Sequence, residues 1–127
     1  MPYITQSRKH RDDQKVEAAC ERISGMFAHA RVERRGRKSI GDIAADATAK
    51  GFMNIVIVGK AGDGAVKRFI TSEPYLCATV LRPLPLGASY AWGGEYIVLE
   101  SEGASQPRIL GADGSDATER FVDEARE

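Results

Sequence analysis

The chain has 127 residues, and its 18 lysines and arginines are balanced by 18 aspartates and glutamates. This length supports one compact domain, or two small halves that share a core. No apolar run is long enough to cross a bilayer and no secretory signal is recognisable, so we expect a reduced, cytoplasmic protein. Cys20 and Cys77 lie far apart without a metal-binding spacing, and we expect both to be free thiols.

The first half of the chain begins with two predicted pairs of a strand and a helix. Residues 3–5 predict a short strand, and a helical pattern follows from Asp12. The carboxylates of Asp12 and Asp13 suit the positive end of a helix. Residues 31–34 predict a second strand. Ser39 begins the clearest helix, because Ser39 and Asp42 resemble a capping box in which Asp replaces the usual Glu or Gln. The apolar faces of the two helices consist of Val16, Ala19, Cys20, Ile23 and Phe27, and of Ile40, Ile43, Ala44 and Ala47.

An apolar run at residues 52–58, rich in β-branched side chains and interrupted only by Asn54, predicts a central strand that is covered on both faces. Residues 59–64 predict a hairpin turn, and residues 65–71 predict the partner strand. The order β-α-β-α-β-β indicates an α/β sandwich with a mixed sheet.

The second half predicts three more strands and a final helix. The strands are expected at residues 75–81, 95–100 and 108–110. Residues 82–87 contain two prolines and form an extended segment that cannot lie centrally in a sheet. Ser115 is the expected cap of the last helix. That helix uses the apolar side chains of Phe121, Val122 and Ala125.

Charge is distributed unequally along the chain. Residues 1–70 contain 14 basic and 8 acidic residues, a balance of +6, whereas residues 71–127 contain 4 and 10, a balance of −6. This asymmetry favours an anionic partner for the N-terminal half, although mutual attraction of the two halves would also explain it.

Two basic clusters, at residues 7–11 and 31–38, each join a predicted strand to a predicted helix. At such junctions backbone N–H groups are also free to face an anion. Because equivalent junctions of a parallel α/β sheet meet at one edge, the clusters are expected to converge there, and nucleic-acid phosphates are the obvious ligands. On this charge argument alone, the candidate contacts include Arg11, Arg34, Lys67 and Arg68.

The remaining motifs do not support catalysis or a cofactor. Residues 59–64 mimic a dinucleotide-binding fingerprint, but the glycine spacing is wrong and a strand is expected to follow. His10 and His29 have no partners at metal-binding spacing. We therefore expect no enzymatic activity, no cofactor and no metal. The aromatic residues Tyr90, Trp92 and Tyr96 could stack on bases, although packing in a loop and strand is the favoured interpretation.

Two sequence segments resemble the Brix-domain family, especially its short archaeal ribosome-biogenesis members. They are residues 4–9, ITQSRK, and residues 34–43, RRGRKSIGDI, which are separated by an amphipathic helix. The resemblance includes the apolar strand at residues 54–59, NIVIVG, and covers residues 3–71. Residues 72–127 form a shorter part that matches only loosely, within a single Brix-like domain over residues 1–127.

The resemblance implies an α/β fold of two similar halves, each like the anticodon-binding domain of class II aminoacyl-tRNA synthetases. It also implies a non-catalytic role in ribosome biogenesis, in which the protein binds ribosomal RNA or its precursor. The RNA-binding positions that it implies are Ser7, Arg8 and Lys9 in the first element and Arg35, Arg37 and Lys38 in the second.

A protein-interaction scaffold is the alternative function. In that case the acidic C-terminal half would bind a basic partner, such as a ribosomal or assembly protein. RNA binding predicts a steep dependence on salt, whereas scaffolding predicts that the proline-containing segment at residues 82–87 is buried in an interface.

Overall fold

The protein is described by a computed structural model that covers residues 1–61, 75–85, 89–100, 106–111 and 113–126. The strands in these residues are β1 (Pro2–Gln6), β2 (Arg31–Val32), β3 (Asn54–Ala61), β4 (Tyr75–Pro83), β5 (Tyr90–Leu99) and β6 (Arg108–Leu110). The helices are a 3₁₀ turn at Arg8–His10, α1 (Gln14–Ser24), α2 (Ile40–Ala49) and α3 (Thr118–Arg126). The strands form one six-stranded sheet in the order β2-β1-β3-β4-β5-β6, which confirms the predicted α/β class with a mixed sheet.

The two halves of the chain differ in topology. β1 pairs in parallel with both β2 and β3, so the first half is built from two crossovers that each contain a helix. β3, β4, β5 and β6 pair successively in antiparallel fashion. Within the described residues the halves are therefore not similar to each other, and the resemblance to anticodon-binding domains stays a prediction.

The helices cover both faces of the sheet, because alternate strand residues point to opposite sides. α1 and α3 lie on one face, where Ile23 and Phe121 are completely buried against residues such as Val56. α2 lies on the other face, where Ile43 packs against residues such as Tyr3. This double coverage explains why the run over residues 52–58 is apolar apart from Asn54, as predicted for a central strand.

Side-chain caps fix the starts of α1 and α2. The Asp13 carboxylate accepts hydrogen bonds from the backbone N–H groups of Lys15, at 2.9 Å, and Val16, at 3.2 Å. The Ser39 hydroxyl accepts from the Asp42 N–H at 3.1 Å, and the Asp42 carboxylate accepts from the Ser39 N–H at 3.1 Å. The reciprocal capping box predicted from the sequence is confirmed, with Asp in place of Glu.

The end of β3 differs from the prediction. The expected turn at residues 59–64 begins too early, because β3 continues through Ala61 and pairs with β4 up to Tyr75. Gly59 is buried in this extension, where a Cβ atom would lie 2.7 Å from the Ser7 hydroxyl oxygen, so close packing explains the glycine. The expected strand at residues 65–71 lies outside the described residues.

Three boundaries in the second half also differ. β4 includes Pro83, which pairs only with β5, since the pairing of β4 with β3 ends at Leu81. A proline is tolerated there because its missing N–H group faces no neighbouring strand. β5 begins at Tyr90 rather than residue 95, and a register shift against β4 accommodates its Gly-Gly pair. Ser115 does not cap α3; the Asp116 carboxylate accepts the Thr118 N–H at 3.0 Å instead.

Both cysteines are free thiols, as predicted. Cys20 is buried on the α1 side of the sheet, and this burial raises the pKa of its thiol to about 12. The thiol is therefore protonated at neutral pH and serves as a small apolar group in the core.

Candidate nucleic-acid interface

Three chain segments meet at one edge of the sheet, beyond the carboxyl ends of the parallel strands. The first connects β1 to α1 at residues 7–13, and the second connects β2 to α2 at residues 33–39. The third is the end of β3 at Lys60. We call this region the junction surface; its polar and basic residues are Ser7, Arg8, Lys9, His10, Arg11, Arg34, Arg35, Arg37, Lys38 and Lys60. The expected convergence of the two basic clusters is therefore observed.

Arg35 is buried beneath the junction surface, and its hydrogen bonds link the first two segments. Its backbone N–H donates to Gln6 Oε1 at 2.8 Å, and its Nη1 donates to the Gln6 carbonyl at 3.0 Å. Its Nε also donates to the Lys38 carbonyl at 2.7 Å. Because only 2 % of Arg35 is exposed, it has little surface for the phosphate contact expected from the sequence. The structure gives Arg35 a positioning role, in which its charge is satisfied by two carbonyl groups.

Arg37 lies at the tip of the turn that Arg35 holds. Gly36 adopts a left-handed conformation, with φ +57°, and the Lys38 N–H donates to the Arg35 carbonyl at 3.3 Å. This tight turn leaves Arg37 exposed. The ammonium group of Lys38 already has contacts within the protein, since its Nζ lies 3.4 Å from the Arg34 carbonyl and 3.9 Å from the Asp46 carboxylate. The side chain of Arg37 is therefore more available to an external anion than that of Lys38.

The β1–α1 segment is held by a small network around His10. The Ser7 hydroxyl lies 2.7 Å from His10 Nδ1, and the Lys60 backbone N–H donates to the same nitrogen at 3.4 Å. Lys60 Nζ forms an ion pair with Asp13 at 2.6 Å, and this hydrogen bond lowers the pKa of Asp13. Ser7 and Lys60 are thereby used within the protein, and the exposed Arg8 and Lys9 project from the 3₁₀ turn.

His10 is held in its neutral form. Partial burial lowers its pKa, and the positive charges of Lys60 and Lys9 act in the same direction, whereas Asp13 opposes them. Since Lys60 N–H donates to Nδ1, the ring proton lies on Nε2. A neutral imidazole can still donate one hydrogen bond to an anion.

Arg8 connects the two junctions electrostatically. Burial lowers the pKa of Arg35, and the charge of Arg8 lowers it further. Hydrogen bonds from Ser39 lower the pKa of Asp42, and Arg8 adds to that effect. Arg8 therefore lies within electrostatic reach of both the β2–α2 segment and the start of α2.

Three exposed cations of the junction surface, Arg8, Lys9 and Arg37, form no ion pair with any residue that the structure describes. Two others have weak partners: Arg11 lies 3.8 Å from Asp12, and Arg34, whose side chain is 83 % exposed, lies 4.0 Å from Glu17. Exposed cations without partners are available to phosphates at no cost in broken ion pairs. Lys67 and Arg68, also expected from the sequence, lie outside the described residues.

The helix N-termini contribute less than the sequence suggests. The side chain of Asp13 occupies N–H groups of α1, and Ser39 occupies an N–H group of α2, so these donors do not face an external anion. Anion binding at the junction surface would therefore depend on side chains. His10 lies within the first basic cluster of the sequence, but its contact with Lys60 and the contact of Gln6 with Arg35 were not predicted, because these partners come from different segments.

The aromatic residues do not belong to the junction surface. Tyr96 is buried against Phe121, with ring centroids 5.1 Å apart, and donates its hydroxyl to Glu124 at 2.7 Å. Tyr90 and Trp92 contact each other with ring centroids 5.6 Å apart, and Trp92 is 59 % exposed. Both lie in the part of β5 that pairs with the end of β4, toward the opposite end of the sheet. The favoured packing interpretation is confirmed for Tyr96.

In the residues that the structure covers, His, Cys, Asp and Glu side chains form no group of three or more that could hold a metal ion. None of the described helices has the length and apolar character needed to span a membrane.

Comparisons with protein-family models and with curated proteins find no match to this chain. Among solved structures, a probable ribosomal biogenesis protein from Aeropyrum pernix is similar, with a TM-score of 0.58 and 21 % sequence identity. The two proteins share a fold. The match covers 76 % of this chain and 47 % of the other, so this chain spans about half of that protein's length.

Proposed function

We propose that this protein binds RNA through the junction surface and takes part in ribosome biogenesis without catalysing a reaction. The observation that carries the proposal is the convergence of Arg8, Lys9 and Arg37, three exposed cations without ion pairs among the described residues, at one edge of the sheet. Phosphate groups spaced along a nucleic-acid backbone are the anions that such an arrangement suits best.

The fold shared with a probable ribosomal biogenesis protein supports the biological context of the proposal. The two sequence elements that resemble the Brix-domain family fall in the two basic junctions, which are the segments that Arg35 links. On this basis, ribosomal RNA or its precursor in the cytoplasm is the proposed partner, with ribosomal or assembly proteins as additional ones.

The test is a salt titration of RNA binding by fluorescence anisotropy, with a labelled oligouridine and an RNA duplex as probes. The wild type is compared with a variant that combines Arg8→Ala, Lys9→Ala and Arg37→Ala. Each lost phosphate contact should flatten the plot of log affinity against log salt by roughly 0.7 on single strands, so the triple variant should lose about 2 from the slope. The affinity for both RNA probes should fall together, because phosphate contacts do not distinguish one base from another.

A matched control removes the same charge elsewhere, through Arg82→Ala, Arg108→Ala and Arg126→Ala in the C-terminal half. Circular dichroism checks that both variants fold. Equal loss of affinity in the two variants would show a general charge effect, and an unchanged slope in the junction variant would exclude this surface as the RNA site. Gel analysis of the bound RNA tests the non-catalytic part, because cleavage or modification would contradict it.

A further inference from the structure

A second surface lies along the outer edge of β5. β6 pairs only with Ile97–Leu99, so the first part of β5, from Tyr90 to Glu95, has no strand beside it on that side within the described residues. Ala91, Trp92 and Gly93 are exposed there, whereas the N–H of Gly94 already donates to Glu124. An edge of this kind offers backbone donors and acceptors to another extended chain.

An acidic groove of about 730 Å³ lies between α3 and the Gly94–Tyr96 part of β5, next to this edge. Its lining includes the carboxylates of Glu119, Asp123 and Glu124 and a single cation, Arg120. Glu124 is used within the protein, because it accepts hydrogen bonds from the Gly94 N–H and the Tyr96 hydroxyl. Glu119 and Asp123 remain at the surface, and Asp123 is shared only with the exposed Arg126. The groove therefore favours a cationic occupant.

Exposed apolar side chains lie at the same end of the sheet as this edge. Four large hydrophobic residues are exposed in the described part of the chain: Met1, Met53, Leu84 and Trp92. The register of the sheet places all of them at one end, since Pro2 pairs with Asn54, Leu81 pairs with Ile55 and Trp92, and Pro83 pairs with Tyr90. An exposed apolar group at one end of a sheet indicates a contact surface.

We propose that the edge of β5 docks an extended basic segment of a partner protein. The segment would add a strand beside residues 90–95, with Lys or Arg side chains in the α3 groove and apolar side chains against Trp92. RNA does not fit this site, because its phosphates would face Glu119 and Asp123. A second copy of this chain does not fit either, because pairing through β5 would bring the same carboxylates together.

This surface does not depend on RNA binding, because the junction surface lies at the other end of the strands. The protein could therefore hold RNA at one end of the sheet and a basic protein segment at the other. This edge thus gives the protein-interaction function, the alternative expected from the acidic C-terminal half, a defined site and a defined kind of ligand.

The experiment uses the full chain and synthetic peptides as probes. The test peptide alternates Lys and Val, a control replaces every Lys with Glu, and a second control carries N-methyl groups on the Val nitrogens. Trp92 is the only tryptophan, so its fluorescence reports on this edge directly. The basic peptide should bind saturably, and both control peptides should bind at least about tenfold more weakly. Amide hydrogen exchange should slow at residues 90–95 when the basic peptide is bound.

Paired variants locate the charge contribution. The double variant Glu119→Gln, Asp123→Asn should bind the basic peptide at least threefold more weakly than the wild type. The control variant Glu17→Gln, Glu21→Gln on α1 should bind it with unchanged affinity. Oligouridine should not compete with the peptide, and its affinity should not fall in either variant. Equal binding of the acidic peptide, protection elsewhere than residues 90–95, or competition by oligouridine would each overturn the proposal. Concentration-dependent dimerisation through β5 without any peptide would assign the edge to a second copy instead.

Discussion

The two ends of the central sheet differ in chemistry because the two halves of the chain differ in topology. The parallel strands place two helix-bearing crossovers with their cations at one end. At the other end, the antiparallel strands leave an edge that no other described strand covers, beside an acidic helix. β3 runs between them and, with its 8 residues, separates the two ends by roughly 26 Å. Connectivity therefore determines where charge can accumulate, even though the net charge of the whole chain is zero.

The largest expected effect tests whether the two ends depend on one cooperative fold. Phe121 is completely buried and contacts Tyr96 of β5 and, at 6.0 Å between ring centroids, Phe27 beyond α1. Phe121→Ala should destabilise the protein by about 3–5 kcal/mol, which is a large share of a typical domain's stability. Urea unfolding followed by Trp92 fluorescence and by circular dichroism measures the loss.

Both probes should report the same midpoint, because α3 packs against strands that reach both ends. Phe121→Leu is the matched control and should cost less, since it retains most of the buried volume. Loss of the β5 signal while the helical signal persists would show that the two ends unfold independently.

The next prediction compares Arg35, which positions the turn, with Arg37, which is proposed to contact phosphate. The two residues should differ in their contribution to stability. Arg35→Ala leaves the Gln6 and Lys38 carbonyls without their charged donors, and it should cost about 3 kcal/mol of stability. Arg37→Ala should change stability by no more than about 0.5 kcal/mol, because its side chain is exposed. Both variants should weaken RNA binding, the first through a displaced turn and the second through a lost phosphate contact.

Arg35→Lys sharpens this distinction. Lysine keeps the charge but cannot reproduce two donors in the planar arrangement of a guanidinium group, so it should not restore stability. Chemical denaturation and the salt slope of RNA binding are the measurements. If Arg35→Ala had wild-type stability and a flattened salt slope, Arg35 would be a direct phosphate contact after all.

Local patterns in the sequence were sufficient to predict the helices, the capping box of α2 and the convergence of the two junctions, whereas the expected Ser115 cap of α3 was wrong. Ser39 and Asp42 are three residues apart, so the capping box is a local signal. The burial of Arg35 was not predictable, because its partner Gln6 lies 29 residues away and nothing nearby distinguishes it from the exposed Arg37. A charge cluster thus indicates where a binding surface lies but not which of its members are exposed.

The start of β5 was missed for a related reason. Two consecutive glycines disfavour a strand locally, but Glu124, 30 residues later, accepts the N–H of Gly94 and holds the irregular segment in place. A Cβ atom on Gly93 would lie 2.9 Å from the Val80 carbonyl oxygen of the neighbouring strand, which explains why a glycine is needed there. The edge that no strand covers within the described residues also depends on β6 being only 3 residues long, and the sequence predicts this short strand correctly at residues 108–110.

The smallest expected effect is a pH dependence confined to the junction surface. The pKa of His10 is lowered below 6.5 in the folded protein, mainly by burial. In the window just below pH 6.5 the unfolded chain therefore binds a proton at His10 that the folded chain does not, so stability rises with pH through this window. Asp13, Glu33 and Asp46 have pKa values lowered from 3.8, 4.5 and 3.8, respectively, so they stay ionised in this window and do not produce the effect.

His10→Asn should remove this dependence, because the Asn oxygen can still accept the Lys60 N–H but the amide takes up no proton. Urea midpoints of the wild type and the variant, measured between about pH 5 and pH 8, test the prediction. The wild-type midpoint should fall relative to that of the variant as the pH is lowered through this window, while peptide docking at β5 stays the same for both proteins. A constant difference between the curves would mean that His10 does not titrate in this window. In that case the Ser7–His10–Lys60 network would contribute the same stability at every pH, and the junction surface would have no protonation step of its own.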